Sequence, residues 1–144
     1  MKVLTHETIH TSIKQLFPDT DIMSPTGYLS AVRAGVSGQT LRKIINILGE
    51  REWIAKAIGK DVSNLSKSYK LKRLSPMVSD NLIDTLRVFI QAVSIYESLD
   101  LAKEWMSSPI PALGGEIPVT LLDTHAGREI VRQALKKLEF GEFV

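Results

Sequence analysis

Residues 6–10 read His6-Glu7-Thr8-Ile9-His10, the HExxH spacing of a helical zinc site. Four residues apart on a helix, two imidazoles share one face, and the glutamate stands where a general base would activate metal-bound water. Such a site needs a third protein ligand. The one histidine left is His125, and no ligand pattern surrounds it. The motif therefore reads as a solvent-facing or structural stretch of helix, and no metal is expected. Other candidates for chemistry fail in similar ways. Ser37 and Ser63 stand where helices begin, as caps rather than nucleophiles, and no serine or acid is spaced with His125 to make a triad. Gly114-Gly115 lacks the GxGxxG or GxxxxGK[ST] setting that cradles phosphate. No catalytic residue and no cofactor is expected.

Binding remains. Ile54 to Leu65 and Ser30 to Leu41 each place a small Ala four residues before a turn Gly, then a cap, then a Leu. That is the spacing of a helix-turn-helix, in which Ala lets two helices cross closely and Leu packs back. The second corner is the better DNA candidate. Its outer helix follows Asp61 and exposes Ser63, Asn64 and Lys67, short or cationic groups able to reach base edges, with Asn suited to adenine. Lys70, Lys72 and Arg73 follow and suit phosphates. A basic helical corner with no ligand fits the same spacing. Charge is uneven along the chain: residues 24–73 carry ten Lys or Arg against three Asp or Glu, whereas residues 74–144 carry six against ten. A basic middle suits nucleic acid and an acidic C-terminal part suits a different partner.

The elements that must hold these residues are helices. The chain has 144 residues, 44% of them hydrophobic, and no cysteine. That composition suits a globular core without disulfides or thiolate metal sites. No apolar run approaches the ~20 residues that cross a bilayer, and the first residues lack the apolar stretch of a signal peptide. No membrane association and a cytoplasmic location are expected. Apolar spacing predicts helices over 6–17, 25–35, 37–49, 51–58, 62–69, 75–98, 100–107 and 124–139, so the fold class is all-α. Ser24-Pro25 and Ser75-Pro76 combine a cap with proline at the first helical position. The long helix is expected to bury Leu82, Leu86, Phe89, Ile90 and Val93. The last helix is expected to bury Ile130, Val131, Ala134, Leu135 and Leu138, and Trp105 is expected to face inward.

Residues 109–128, PIPALGGEIPVTLLDTHAGR, interrupt this helical pattern. Prolines cut chain entropy and fix direction, and the paired glycines permit a sharp reversal. Either a stiff connector or a preformed platform for a partner protein fits. Phe140 and Phe143 near the chain's end have no obvious core to fill and suit an interface.

This C-terminal region resembles the toxin-binding domain shared by the Xre, MbcA and ParS antitoxins. The matching residues are Ala102, Trp105, Pro109, Ala112-Leu113-Gly114-Gly115, Pro118, Leu121-Leu122-Asp123-Thr124, Gly127-Arg128, Val131, Leu135 and Leu138-Glu139-Phe140-Gly141. Upstream, Arg73-Leu74-Ser75-Pro76 and Ser79-Asp80 resemble the family's entry into the long helix. The resemblance implies an Xre-like helix-turn-helix domain followed by a small helical toxin-binding domain. The resemblance covers about residues 28–144, and the chain is expected to divide into an N-terminal helical segment (1–23), a DNA-binding and dimerisation region (24–98) and a toxin-binding domain (99–144). It further implies no catalysis, a RES-domain toxin as partner whose NAD-binding cleft is covered, operator DNA as a second partner, and a homodimer within a larger complex. The toxin-binding residues it implies are Leu113, Gly114, Gly115, Leu121, Leu122, Thr124, Arg128, Glu139, Phe140, Phe143 and Val144. The chain departs from the family at Asn64-Leu65-Ser66-Lys67-Ser68-Tyr69, where relatives tend to be arginine-rich, at Met106 in place of a leucine, and at Ile110 in place of a polar residue. The alternative is a plain DNA-binding regulator whose C-terminal region only dimerises.

Overall fold

Side-chain caps set where most of the helices start. In the computed structural model, which describes residues 5–141, the oxygens of Thr5, Ser24, Ser37, Ser75, Ser98 and Thr124 each accept the backbone N–H three residues on. Each such cap is worth about 1 kcal/mol. They open α1 (His6–Leu16), α2 (Pro25–Ala34), α3 (Gly38–Leu48), α6 (Pro76–Tyr96), α7 (Leu99–Met106) and α8 (His125–Glu139). The remaining helices are α4 (Arg51–Ala57) and α5 (Leu65–Tyr69), and single 3₁₀ turns cover Val62–Asn64, Pro111–Leu113 and Pro118–Leu121. The described residues contain no strand, so the chain is all-α.

The organising element is α6. Its expected face is buried, and so are Ile83, Val88 and Ala92 on its other sides. A helix buried on all sides belongs in the middle of a fold, and α1, α2, α4, α7 and α8 all pack on it. Trp53 of α4 stacks on Phe89 at 6.2 Å between ring centroids. One continuous core runs from Ile9 on α1 to Leu135 on α8. Lys103 of α7 adds a polar tie: its Nζ donates to the Leu48 carbonyl at the end of α3 and pairs with Glu50, both at 2.9 Å.

Three expectations need correction. Residues 62–69 are not one helix: Asp61 caps a 3₁₀ turn, and regular α-helix begins only at Leu65. The long helix ends at Tyr96, where Glu97 adopts a left-handed φ of 56°. Ile130 lies outside the buried stripe of α8 and is 50% exposed. Ile130 lies about 100° round the helix from Val131, on the side away from the stripe of Val131, Ala134, Leu135 and Leu138.

Candidate functional site

The basic segment 61–73 sits on a clamp. Leu65 and Ser68 are buried and pin α5. Its C-terminal extension is held by the first helix–Gly–helix corner. The Gly38 N–H donates to the Leu71 carbonyl at 2.9 Å, and the Leu74 N–H donates to the Val36 carbonyl at 2.7 Å. The Arg42 guanidinium also lies 5.7 Å from the centre of the Tyr69 ring. Thus the turn between α2 and α3 is the seat of the second corner. Asn64, Lys67, Lys70, Lys72 and Arg73 are all exposed around it. Ser63 is exposed too, but its hydroxyl donates to the Asp61 carboxylate at 2.8 Å, alongside its own N–H at 3.0 Å. Those two donors hold the Asp61 carboxyl below its usual range, and Ser63 is committed to the turn.

The stretch 110–122 is a closed loop. Ile110, 6% exposed, anchors its base. The Ile110 N–H donates to the Glu116 carbonyl at 3.1 Å, and the Gly115 N–H donates back to the Ile110 carbonyl at 3.0 Å. Gly114 and Gly115 take φ of 66° and 83°, with open space around the position of a Cβ. Glycine is needed there for backbone shape, not for room. Five backbone N–H groups of residues 110–116 bond within the loop, and Ala112, Gly114, Gly115 and Glu116 are presented to solvent. Beside it, α8 offers an outward stripe with Ile130, Gln133, Lys137 and Phe140, the last 70% exposed.

What fixes this stripe and loop to the body is a buried ionic cluster. Arg128, 3% exposed, donates through Nε to Asp84 at 2.7 Å, through Nη1 to the Leu122 carbonyl at 2.9 Å and through Nη2 to Asn81 at 3.3 Å. Arg132 adds two bonds to Asp84, at 2.8 and 3.0 Å, and donates to Glu129 at 2.6 Å. Arg87 pairs with Asp84 at 3.0 Å. Burial pushes the Asp84 carboxyl up, but the hydrogen bonds from Arg132 and Arg128 outweigh it and hold the group below its usual range. Arg87 lies over the Tyr28 ring at 4.3 Å, and Tyr28 bonds to Asp80. Burial, then that bond, raise the Tyr28 phenol above its ordinary range. At the start of α8, Thr124 accepts the Gly127 N–H at 2.9 Å. A Cβ at Gly127 would lie 1.8 Å from the Leu121 carbonyl oxygen, so the 118–122 turn presses directly on the helix.

This geometry sorts the expected toxin-facing residues. Gly114, Gly115, Glu139 and Phe140 face outward, and Leu113 and Leu121 are half-buried. Arg128 and Leu122 are corrections: both are buried, one a tie and one core, and neither presents surface to a partner. Thr124 acts as the helix cap. Phe143 and Val144 lie outside the described residues. Ile130, Gln133 and Lys137 were not expected. Their signal was available in the helical period, since the stripe that buries Val131 and Leu135 leaves them on the far side. His6 and His10 do share a face, with ring centroids 6.0 Å apart. Among the described residues no group of three His, Asp or Glu is placed to hold a metal ion, and no helix is long and apolar enough to cross a membrane.

Residues 91–141 match the family model described as the antitoxin Xre/MbcA/ParS C-terminal toxin-binding domain. The matched stretch contains the loop and all of α8. The chain is also similar to the Prs ADP-ribosylating antitoxin of Sphingobium sp. (strain YBL2). Identity is 27% over 134 aligned residues, covering 83% of this chain and 82% of that protein. The resemblance read from Ala102 to Gly141 is therefore borne out.

Proposed function

We propose, from the match of residues 91–141 to the Xre/MbcA/ParS toxin-binding domain, that the chain neutralises a RES-domain toxin by covering the NAD-binding cleft. The observation that carries this reading is the self-bonded 110–116 loop held beside the exposed stripe of α8. A pre-shaped surface loses little conformational freedom when a partner docks. In this role the loop and α8 need only be rigid and complementary, and no catalytic step is assigned to the chain. Of the nearby acids, Asp84 and Glu129 are engaged by arginines. Exposed Glu116, Asp123 and Glu139 are the ones left to complement a cleft that holds anionic NAD.

The same antitoxin represses its own operon through the exposed residues Asn64, Lys67, Lys70, Lys72 and Arg73, as a homodimer in the cytoplasm. Exposure of an amide and four cations around a clamped short helix supports this part. Growth rescue tests the central claim. The gene adjacent to this one is induced with and without this protein, and growth and cellular NAD are followed. Toxicity with NAD loss, relieved by the intact protein, is expected. Toxicity that the protein does not relieve would leave a plain DNA-binding regulator.

A further inference from the structure

Between the closed loop and α8 lies a groove lined by Ala112, Leu113, Ile130, Gln133, Ala134 and Lys137, with Glu129 at its edge. Its walls are apolar where Leu113, Ile130 and Ala134 face one another. Ile130 is one of the few large apolar side chains the described surface exposes, and it stands where helical periodicity leaves it out of the core. The two charges at the rim differ. Glu129 is neutralised by Arg132 at 2.6 Å. Lys137 has no ion-pair partner among the described residues. An apolar floor beside an uncompensated cation selects its occupant by chemistry.

We infer that this groove is the anchor socket of the toxin interface: it receives one bulky aliphatic or aromatic side chain of the toxin, next to a toxin carboxylate that meets Lys137. The inference rests on the toxin-binding reading above and names the residues and partner chemistry that give it affinity. The groove lies within the matched toxin-binding stretch, and one of its walls is the stiff loop itself. A socket framed by a rigid loop and a rigid helix needs no rearrangement to accept a side chain.

The test uses the full chain and its purified cognate toxin in titration calorimetry, with melting curves as a check on folding. Ile130→Asp places a charge on the floor, and Gln133→Trp fills the socket from an exposed position. Lys137→Glu reverses the rim charge. Leu101→Asp, on the exposed face of α7 and outside the groove, is the control. Ile130→Asp and Gln133→Trp are each expected to weaken toxin binding by about 10- to 100-fold, the range of a buried anchor. Lys137→Glu is expected to weaken it by about 5-fold and to reduce its salt dependence. Leu101→Asp should bind as the parent does. If the parent binds the toxin and the three groove variants bind equally well, the socket is wrong while the toxin reading stands. If the parent itself does not bind, the toxin reading fails first. A change in self-association on Ile130→Asp, with unchanged toxin affinity, would assign the groove to a second copy and overturn the proposal.

Discussion

The basic segment at 61–73 and the loop–helix surface at 110–141 are built in opposite ways. The first is short, exposed on nearly every side chain, and held by two buried residues and two backbone bonds to the turn between α2 and α3. Its charge is its main asset. The second is shaped before any partner arrives: a loop closed by its own hydrogen bonds, a proline-initiated turn, and a helix locked to the centre of the fold through Asp84 and Arg128. Its two arginines are spent internally, while its other charges stay at the surface. A long polyanion can be held by exposed cations with little shaping of the surface, because phosphate attraction is long-ranged and tolerant of position. A protein cleft demands shape, and shape requires backbone fixed from within.

The sharpest way to break this contrast is to cut the tie. Arg128→Met keeps much of the side-chain volume and removes every bond to Asp84, Asn81 and the Leu122 carbonyl. Losing one partner of a buried ionic cluster costs about 3 kcal/mol, and urea unfolding should show a loss of that order. Arg132 and Arg87 still face Asp84, which keeps the cost near the low end of that class. Toxin affinity should fall more than operator affinity. Equal losses on both surfaces would mean the tie serves global stability alone.

Asp84 also predicts a pH signature. Its carboxyl is held below the usual range in the folded state, so the unfolded chain takes up its proton first as pH falls. The stabilisation is fully present above about pH 4, near the unfolded carboxyl's value, and is lost as pH falls further through the depressed folded value. Urea midpoints measured from pH 7 down to pH 3 should be flat at first and then drop. Asp84→Asn should start lower and drop less. A parallel drop in both proteins would place the acid-sensitive group elsewhere.

Most of the helices were legible because caps and apolar periods act locally. Ser24-Pro25, Ser75-Pro76 and Thr124 begin helices where their chemistry requires. The places that were not legible fail for different reasons. Asp84 reads as a lone acid in an apolar run, and only the fold brings Arg128 and Arg132 to it. With those partners unknown, Arg128 reads as a surface cation when it is a buried tie. Asp61 is a second kind of miss. Its cap is local and real, but it closes on Ser63 and shapes a 3₁₀ turn, so the helix starts a turn later than a cap suggests. Leu113-Gly114-Gly115 announced a turn, yet its closure through Ile110 and Glu116 is a backbone property that side-chain patterns do not encode.

The loop's stiffness gives the next test. Gly114→Ala and Gly115→Ala together force L-residues into positive φ at two positions where nothing crowds a Cβ. Each costs about 1 kcal/mol, and the bulk of the fold should feel little of it, since the tip is exposed. Toxin binding should weaken by about 10-fold or more through the distorted loop, while the melting temperature falls by only a few degrees. Unchanged affinity would move the contact off the loop and onto α8 alone.

The smallest expected effect tests the softer surface. Asn64→Ala and Lys67→Ala remove an amide and a cation from exposed positions beside the buried Leu65, so folding should be unaffected. Loss of the lysine should lower the slope of log affinity against log salt by about 0.9, and loss of the amide should cost about 1 kcal/mol in preference for operator over random DNA. Fluorescence anisotropy on both DNAs at several salt concentrations separates the two terms. Growth rescue against the toxin should be untouched, because the altered residues lie far in the sequence from the loop and α8. A double variant that loses rescue along with DNA binding would show that the two surfaces work as one. Lys103 would then be the first residue to change, because it ties α7, which leads into the loop, to the end of α3, whose first residue Gly38 holds Leu71.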